Sequence, residues 1–247
     1  VQHLFEILVA LHIVAGAVGA LVMWVPVLGR KGGDQHRRWG RVFVVALVVT
    51  GVLAVGMSLL TLADPLGTHP HLADRLDAGF VAGLFGWMML HNAVLTINLC
   101  WYGWLCVRAK RDHVRQRHPR NLATHAALAL AAVACAGHGL ALGEPLMIGM
   151  SLVGFATVGT NLRFVFKATR SPVDWQKEHL KALVGGGISV YTAFLAFGSV
   201  RLVPELALNP WMWSVPLLAG VVTILYHWRR LDRRVTPRSL AVGGARV

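Results

Sequence analysis

The 12 histidines are the side chains of this sequence best equipped for chemistry. A neutral imidazole offers a lone pair to a transition metal or a haem iron, and it titrates near neutral pH. Position along the apolar stretches sorts them into two levels. His12, His91 and His138 fall at outer or middle depth, whereas His36, in a short basic loop, and His125, His179 and His227 fall at the cytoplasmic edge. His3, His69, His71, His113 and His118 lie in loops or at the amino end and need no function.

Three chemistries are compatible with this set. In the first, haem b sits between axial imidazoles: His125 pairs with His179 or His36 on the inner level, and His138 pairs with His12 or His91 on the outer level. Arg37, Arg38 or Arg41 then supply cations for the haem propionates. In the second, His36, His125 and His179 are three zinc ligands with an open fourth position, and Asp174 or Glu178 is the base of a membrane hydrolase. The sequence lacks the H-x-x-x-H spacing that such a site usually carries. In the third, the histidines are structural and the chain is a non-catalytic assembly or scaffold subunit. Cys100, Cys106 and Cys135 lie in apolar runs without C-x-x-C spacing, which excludes a disulfide framework or a thiolate zinc site.

Helical arithmetic discriminates further. His125 and His138 are 13 residues apart, so their levels differ by about 20 Å while their directions differ by about 140°. Two haems on that helix therefore require a bend or two different grooves. His12, Gly16 and Gly19 share a stripe that clears space beside an imidazole, and the same stripe is the pattern of an ordinary close helix crossing. His91 and Asn98 share a face, as a hydrogen-bonded pair or as a ligand and its neighbour.

The elements that must position these groups follow from composition. Of 247 residues, 55% are hydrophobic and 14% charged, too apolar for an ordinary soluble domain. Runs able to cross roughly 30 Å of hydrocarbon span residues 4–28, 41–62, 77–106, 122–142, 145–168, 179–203 and 211–228. The expected fold is all-α: a single seven-helix transmembrane domain over 1–228, then a basic tail over 229–247. The first span lacks a basic leader and a cleavage site, so it is expected to remain in the mature protein.

The net charge of +13 is distributed asymmetrically. Arg30, Lys31, Arg37, Arg38 and Arg41 follow the first span, and Arg108, Lys110, Arg111, Arg115, Arg117 and Arg120 follow the third. Lys167, Arg170, Lys177 and Lys181 follow the fifth, and Arg229, Arg230, Arg233, Arg234, Arg238 and Arg246 form the tail. The opposite loops hold Arg75 and Arg201 beside Asp64, Asp74, Asp77, Glu144 and Glu205. Basic loops stay cytoplasmic, so the amino end is expected outside and the carboxyl end inside an inner membrane, with anionic lipid at the basic face. Charge spread over loops of one face excludes a nucleic-acid groove binder. The absence of an acid at mid-span argues against a carboxylate proton pump, and the lack of a lysine in the seventh span excludes a retinal Schiff base. Trp101, Tyr102 and Trp104, and Trp211, Trp213, Tyr226 and Trp228, read as interfacial belts. Gly185, Gly186 and Gly187 permit a close approach or a bend, and Pro216 a kink.

The loop from Gly32 to Arg41, with His-Arg-x-x-Gly-Arg after a first-helix histidine, resembles a family of predicted bacterial polytopic membrane proteins without an assigned activity. The segment from Glu178 to Phe194, with His179 and then Tyr-Thr-Ala-Phe, is similar to that family's later signature. The resemblance covers about a quarter of the chain and implies His12, His36 and His179 as positions of interest. A looser similarity to cytochrome b561-like proteins implies paired membrane histidines around haem b, although the 13-residue spacing departs from a shared face.

Overall fold

The computed structural model describes residues 1–198 and 210–233, and the regular elements among the described residues are all helical. Helix α1 (Gln2–Val22) turns at Met23 into a short segment, Trp24–Leu28. Helix α2 is Asp34–Ala63. A first turn, Ala78–Val81, widens into a π-helical stretch, Ala82–Met88, that runs into α3 (Met89–Ala109). Then come α4 (Pro119–Leu142), α5 (Pro145–Val165) and α6 (Asp174–Ala193), the last continuing as a π-helical stretch to Gly198. Helix α7 is Pro210–Asp232 and runs through Pro216.

Five stretches are long and apolar enough to cross a membrane: Gln2–Leu28, Asp34–Ala63, Ala78–Ala109, His113–Leu142 and Pro145–Val165. This is a helical membrane protein by length and composition. Arg201, Glu205, the expected sixth-span end at Val203, and tail residues Arg234, Arg238 and Arg246 lie outside the described residues, as does the side chain of Trp213.

Local chemistry explains the helix ends. Proline opens α4 and α5, where a missing N–H is harmless. The His118 ring accepts from Arg120 N at 3.2 Å and caps α4. Gly143, at φ +68°, closes α4 in the left-handed region, so only Gly143 and Glu144 separate it from α5. Asp77 accepts from Phe80 N at 2.9 Å at the start of the third stretch.

One boundary corrects the sequence reading. Helix α2 begins at Asp34, about two turns before its apolar run, so His36, Arg37 and Arg41 stand on a helix rather than in a loop. Hydropathy marks where hydrocarbon begins, whereas the helix ends where backbone hydrogen bonding ends. Arginine and glutamine are good helix formers, and Asp34 in the first turn suits the positive helix terminus.

Helix α3 is the hub: it packs against α2, α4, α5 and α6, while α1 lies on α2 and α7 on α6. Leu95, Leu99, Tyr102 and Cys106 of α3 meet Leu128, Phe164, Val165 and Ala182 in one buried cluster. Lipid is as apolar as leucine, so close packing and interhelical hydrogen bonds, rather than burial from water, hold these helices together. Gly19 lets α1 approach α2: a Cβ there would sit 2.5 Å from Leu47 Cδ2.

Candidate functional site

Four of the singled-out histidines share one local device. The Nδ1–H of each donates to a backbone carbonyl: His12 to Thr50 (3.0 Å), His36 to Pro26 (3.1 Å), His125 to Asn121 (2.8 Å) and His179 to Gly103 (2.9 Å). A carbonyl can only accept, so in each neutral ring the proton is on Nδ1 and the lone pair is on Nε2. That is the arrangement by which proteins orient an imidazole before it binds a metal. It is also a sufficient way to satisfy a structural histidine.

Two of these rings meet. His36 at the start of α2 and His179 in α6 face each other edge to face, with centroids 6.4 Å apart. They come from segments far apart in sequence, joined because α2 and α6 both pack on α3. His179 reaches α3 directly through the Gly103 carbonyl, where the missing side chain admits Leu183 and Ala182. His36 is held from the other side by Pro26, whose carbonyl also accepts from Lys31 Nζ at 2.9 Å.

The remaining candidates stand apart. His125 is buried and turns its ring perpendicular to Tyr102, at 5.4 Å. His91 is fully buried, donates from Nε2 to the Met150 carbonyl at 3.0 Å, and lies against Gly154. It is not bonded to Asn98, which instead donates to Thr124 at 3.3 Å and accepts from Asn161 at 3.5 Å. His138 is exposed and stacks on Trp87 at 4.9 Å. Arg37 is exposed and paired with Asp34 at 2.7 Å, and Arg41 donates to the Arg37 carbonyl at 3.3 Å. Among the described residues, no group of three His, Cys, Asp or Glu side chains could hold a metal ion. The proposed bases are engaged as well: Asp174 with Lys167 at 2.7 Å, and Glu178 with Lys181 at 2.6 Å.

Beside His179 lies a polar network whose assembly the sequence did not reveal. Tyr102 donates to Glu178 Oε2 at 2.9 Å, Lys181 Nζ pairs with the same carboxylate and reaches Thr160 at 3.2 Å, and Asn121 donates to the Gln116 carbonyl at 2.7 Å. Arg170 donates to the carbonyls of Phe164 and Val165 at the end of α5. Burial lowers its pKa, an effect that the charge of Arg117 reinforces. Tyr102 is therefore no belt residue: at 0% exposure it is a buried link between α3 and α6. At about 100° per residue, Trp101, Tyr102 and Trp104 point in three directions, and only Trp101 is exposed. Tyr191, of the Tyr-Thr-Ala-Phe segment, makes a second such link. It donates to the Ala20 carbonyl at 2.8 Å and accepts from Trp24 Nε1 at 2.6 Å, tying α6 to the end of α1.

No protein-family model, curated protein or solved structure matches this chain.

Proposed function

We propose that this protein is a seven-crossing inner-membrane redox protein, amino end outside and carboxyl end inside, that binds haem b through His36 and His179. The pairing of these two imidazoles carries the reading. Their centroids lie 6.4 Å apart, edge to face, so holding a haem would require the side chains to turn both Nε2 atoms toward one iron. Both have Nδ1 committed to carbonyls and Nε2 left as the lone-pair nitrogen. Such a haem needs only two protein ligands, so the lack of a three-ligand group among the described residues bears on zinc and not on it. The bound group would supply one-electron transfer. The chain's own residues hold the imidazoles in one tautomer. The resemblance to bacterial membrane proteins and to b561-like proteins is consistent with this reading. A membrane redox partner or a second copy would exchange the electron.

The test is an absorbance spectrum of detergent-purified protein before and after dithionite, with metal analysis and with haemin added to any colourless sample. A reducible Soret band that His36→Ala and His179→Ala each abolish, and His138→Ala leaves intact, is the expected result. A protein that stays colourless with added haemin, or a band that survives the double variant, overturns the assignment. A scaffold subunit is the second reading, favoured because the same carbonyl bonds satisfy each imidazole without a ligand. It predicts no colour and no stoichiometric metal. Stoichiometric zinc without colour would instead favour a hydrolase.

A further inference from the structure

A groove runs along the lipid-facing side of the α1–α2 pair, and we propose that it binds the acyl chain and headgroup of one anionic phospholipid. Its volume is about 580 Å³, and Ala15, Val18, Arg38, Arg41, Val42, Val45, Ala46 and Val49 line it. The crossing through Gly16 and Gly19 creates it: α1 sits low on Leu47 and Thr50, and the flanking positions are alanine and valine, too small to fill the furrow. Val18, Val42, Val45 and Val49 are all exposed there.

Length and charge identify the occupant. The apolar part of the groove, Val42 to Val49 on α2, extends about 10 Å at about 1.5 Å per residue, within one leaflet of a hydrocarbon core of about 30 Å. That length seats the headgroup-proximal part of one acyl chain. Both charged lining residues stand at the same end, where a headgroup would lie. Among the described residues neither Arg38 nor Arg41 is ion-paired, since Asp34, the acid of this turn, is taken by Arg37. A planar guanidinium donates two parallel hydrogen bonds to a phosphate, so a pair of them favours a lipid carrying net negative charge over a zwitterionic one. The occupant is therefore a phospholipid such as phosphatidylglycerol. This inference needs neither the haem assignment nor the crossing count.

The experiment is native mass spectrometry of the full chain released from nanodiscs of equimolar phosphatidylglycerol and phosphatidylcholine. Juxtamembrane cations contribute about five-fold each, so one retained phosphatidylglycerol per chain is expected at a preference of roughly 25-fold. Arg38→Gln/Arg41→Gln brings the preference near unity. Val45→Trp, which keeps both charges and projects from an exposed position, reduces retention of either lipid. Arg229→Gln/Arg230→Gln removes equal charge elsewhere and leaves retention unchanged, and circular dichroism checks that each variant stays helical. Equal retention of the two lipids overturns the proposal. So does equal loss in the two arginine pairs, which would mean diffuse attraction, or a groove covered by a second copy of the chain in place of lipid.

Discussion

The first and third membrane stretches invert the usual relation between burial and polarity. In Gln2–Leu28 only 6% of the most apolar window is buried inside the protein, whereas in Ala78–Ala109 the share is 50%. Yet the exposed stretch is the more apolar. Its outward positions are Leu4, Ile7, Leu11, Ile13, Val14 and Val18, while the buried faces of α3 carry His91, Thr96, Asn98 and Tyr102. In water this pattern would be ruinous. In a bilayer it is required, because an unpaired polar group facing lipid costs free energy that a protein partner recovers. The first stretch is apolar because its neighbour is lipid, and the third can be polar because its neighbours are helices.

This comparison can be broken most severely at Val14, which is 64% exposed in the middle of the first stretch. Val14→Arg should reduce membrane insertion by about 2.5–3.5 kcal/mol, read as the inserted fraction in a translocation assay. On a water-facing surface the same change would stay within roughly 0.5 kcal/mol, so an unaffected protein would refute the lipid-facing assignment. Next in size is Gly154→Ala on the buried side. The added methyl would strike the His91 ring, and overpacking of this kind costs about 1–3 kcal/mol. A lowered Tm in detergent is expected. Gly159→Ala, which meets nothing within 4 Å, serves as its neutral control.

A smaller effect should follow at Tyr102. Tyr102→Phe removes the hydroxyl that donates to Glu178 and should cost about 1 kcal/mol, less than its burial suggests because Lys181 still pairs with that carboxylate. Glu178→Leu should cost more, since it removes both the closest acceptor of Tyr102 and the counter-ion of Lys181, and thermal unfolding of the two variants would rank them. The smallest effect lies outside the membrane segments. His69, packed between Phe5 and Phe85, has its pKa lowered from 6.5, first by burial and then by the nearby His71. The folded form resists protonation, so the unfolded chain takes up more protons as the pH falls through 6.5. This contribution to stability is complete above that pH and is lost below it. His69→Phe should flatten the Tm-versus-pH profile between pH 7 and 5, and an unchanged slope would remove His69 as the cause.

Much of the architecture was legible because hydropathy reports the solvent of each helix directly. Five of the seven expected crossings coincide with stretches that meet length and apolarity criteria. The expected sixth and seventh correspond to α6 and α7, and α6 begins with charged residues that dilute its apolar run. The two-residue turn at Gly143 and Glu144 was readable too, since glycine there takes φ +68°. Partners were not readable. His36 and His179 were grouped only as part of a larger three-histidine set, Asn98 pairs with Thr124 and Asn161 and not with His91, and Tyr102 is buried and not interfacial. Each of these depends on which helix lies beside which.

Taken alone, the order of residues determined that the chain is a helical membrane protein, because every backbone polar group in hydrocarbon must be satisfied within its own helix. It also singled out the imidazoles, which are expensive to place there without a use or a partner. Tertiary structure alone decided their company. Lipid exerts no preference among apolar helix faces, so pairing is settled by small-residue contacts such as Gly19 on Leu47 and by hydrogen bonds such as His179 to Gly103. Those contacts join residues far apart in the chain, and no local periodicity encodes them.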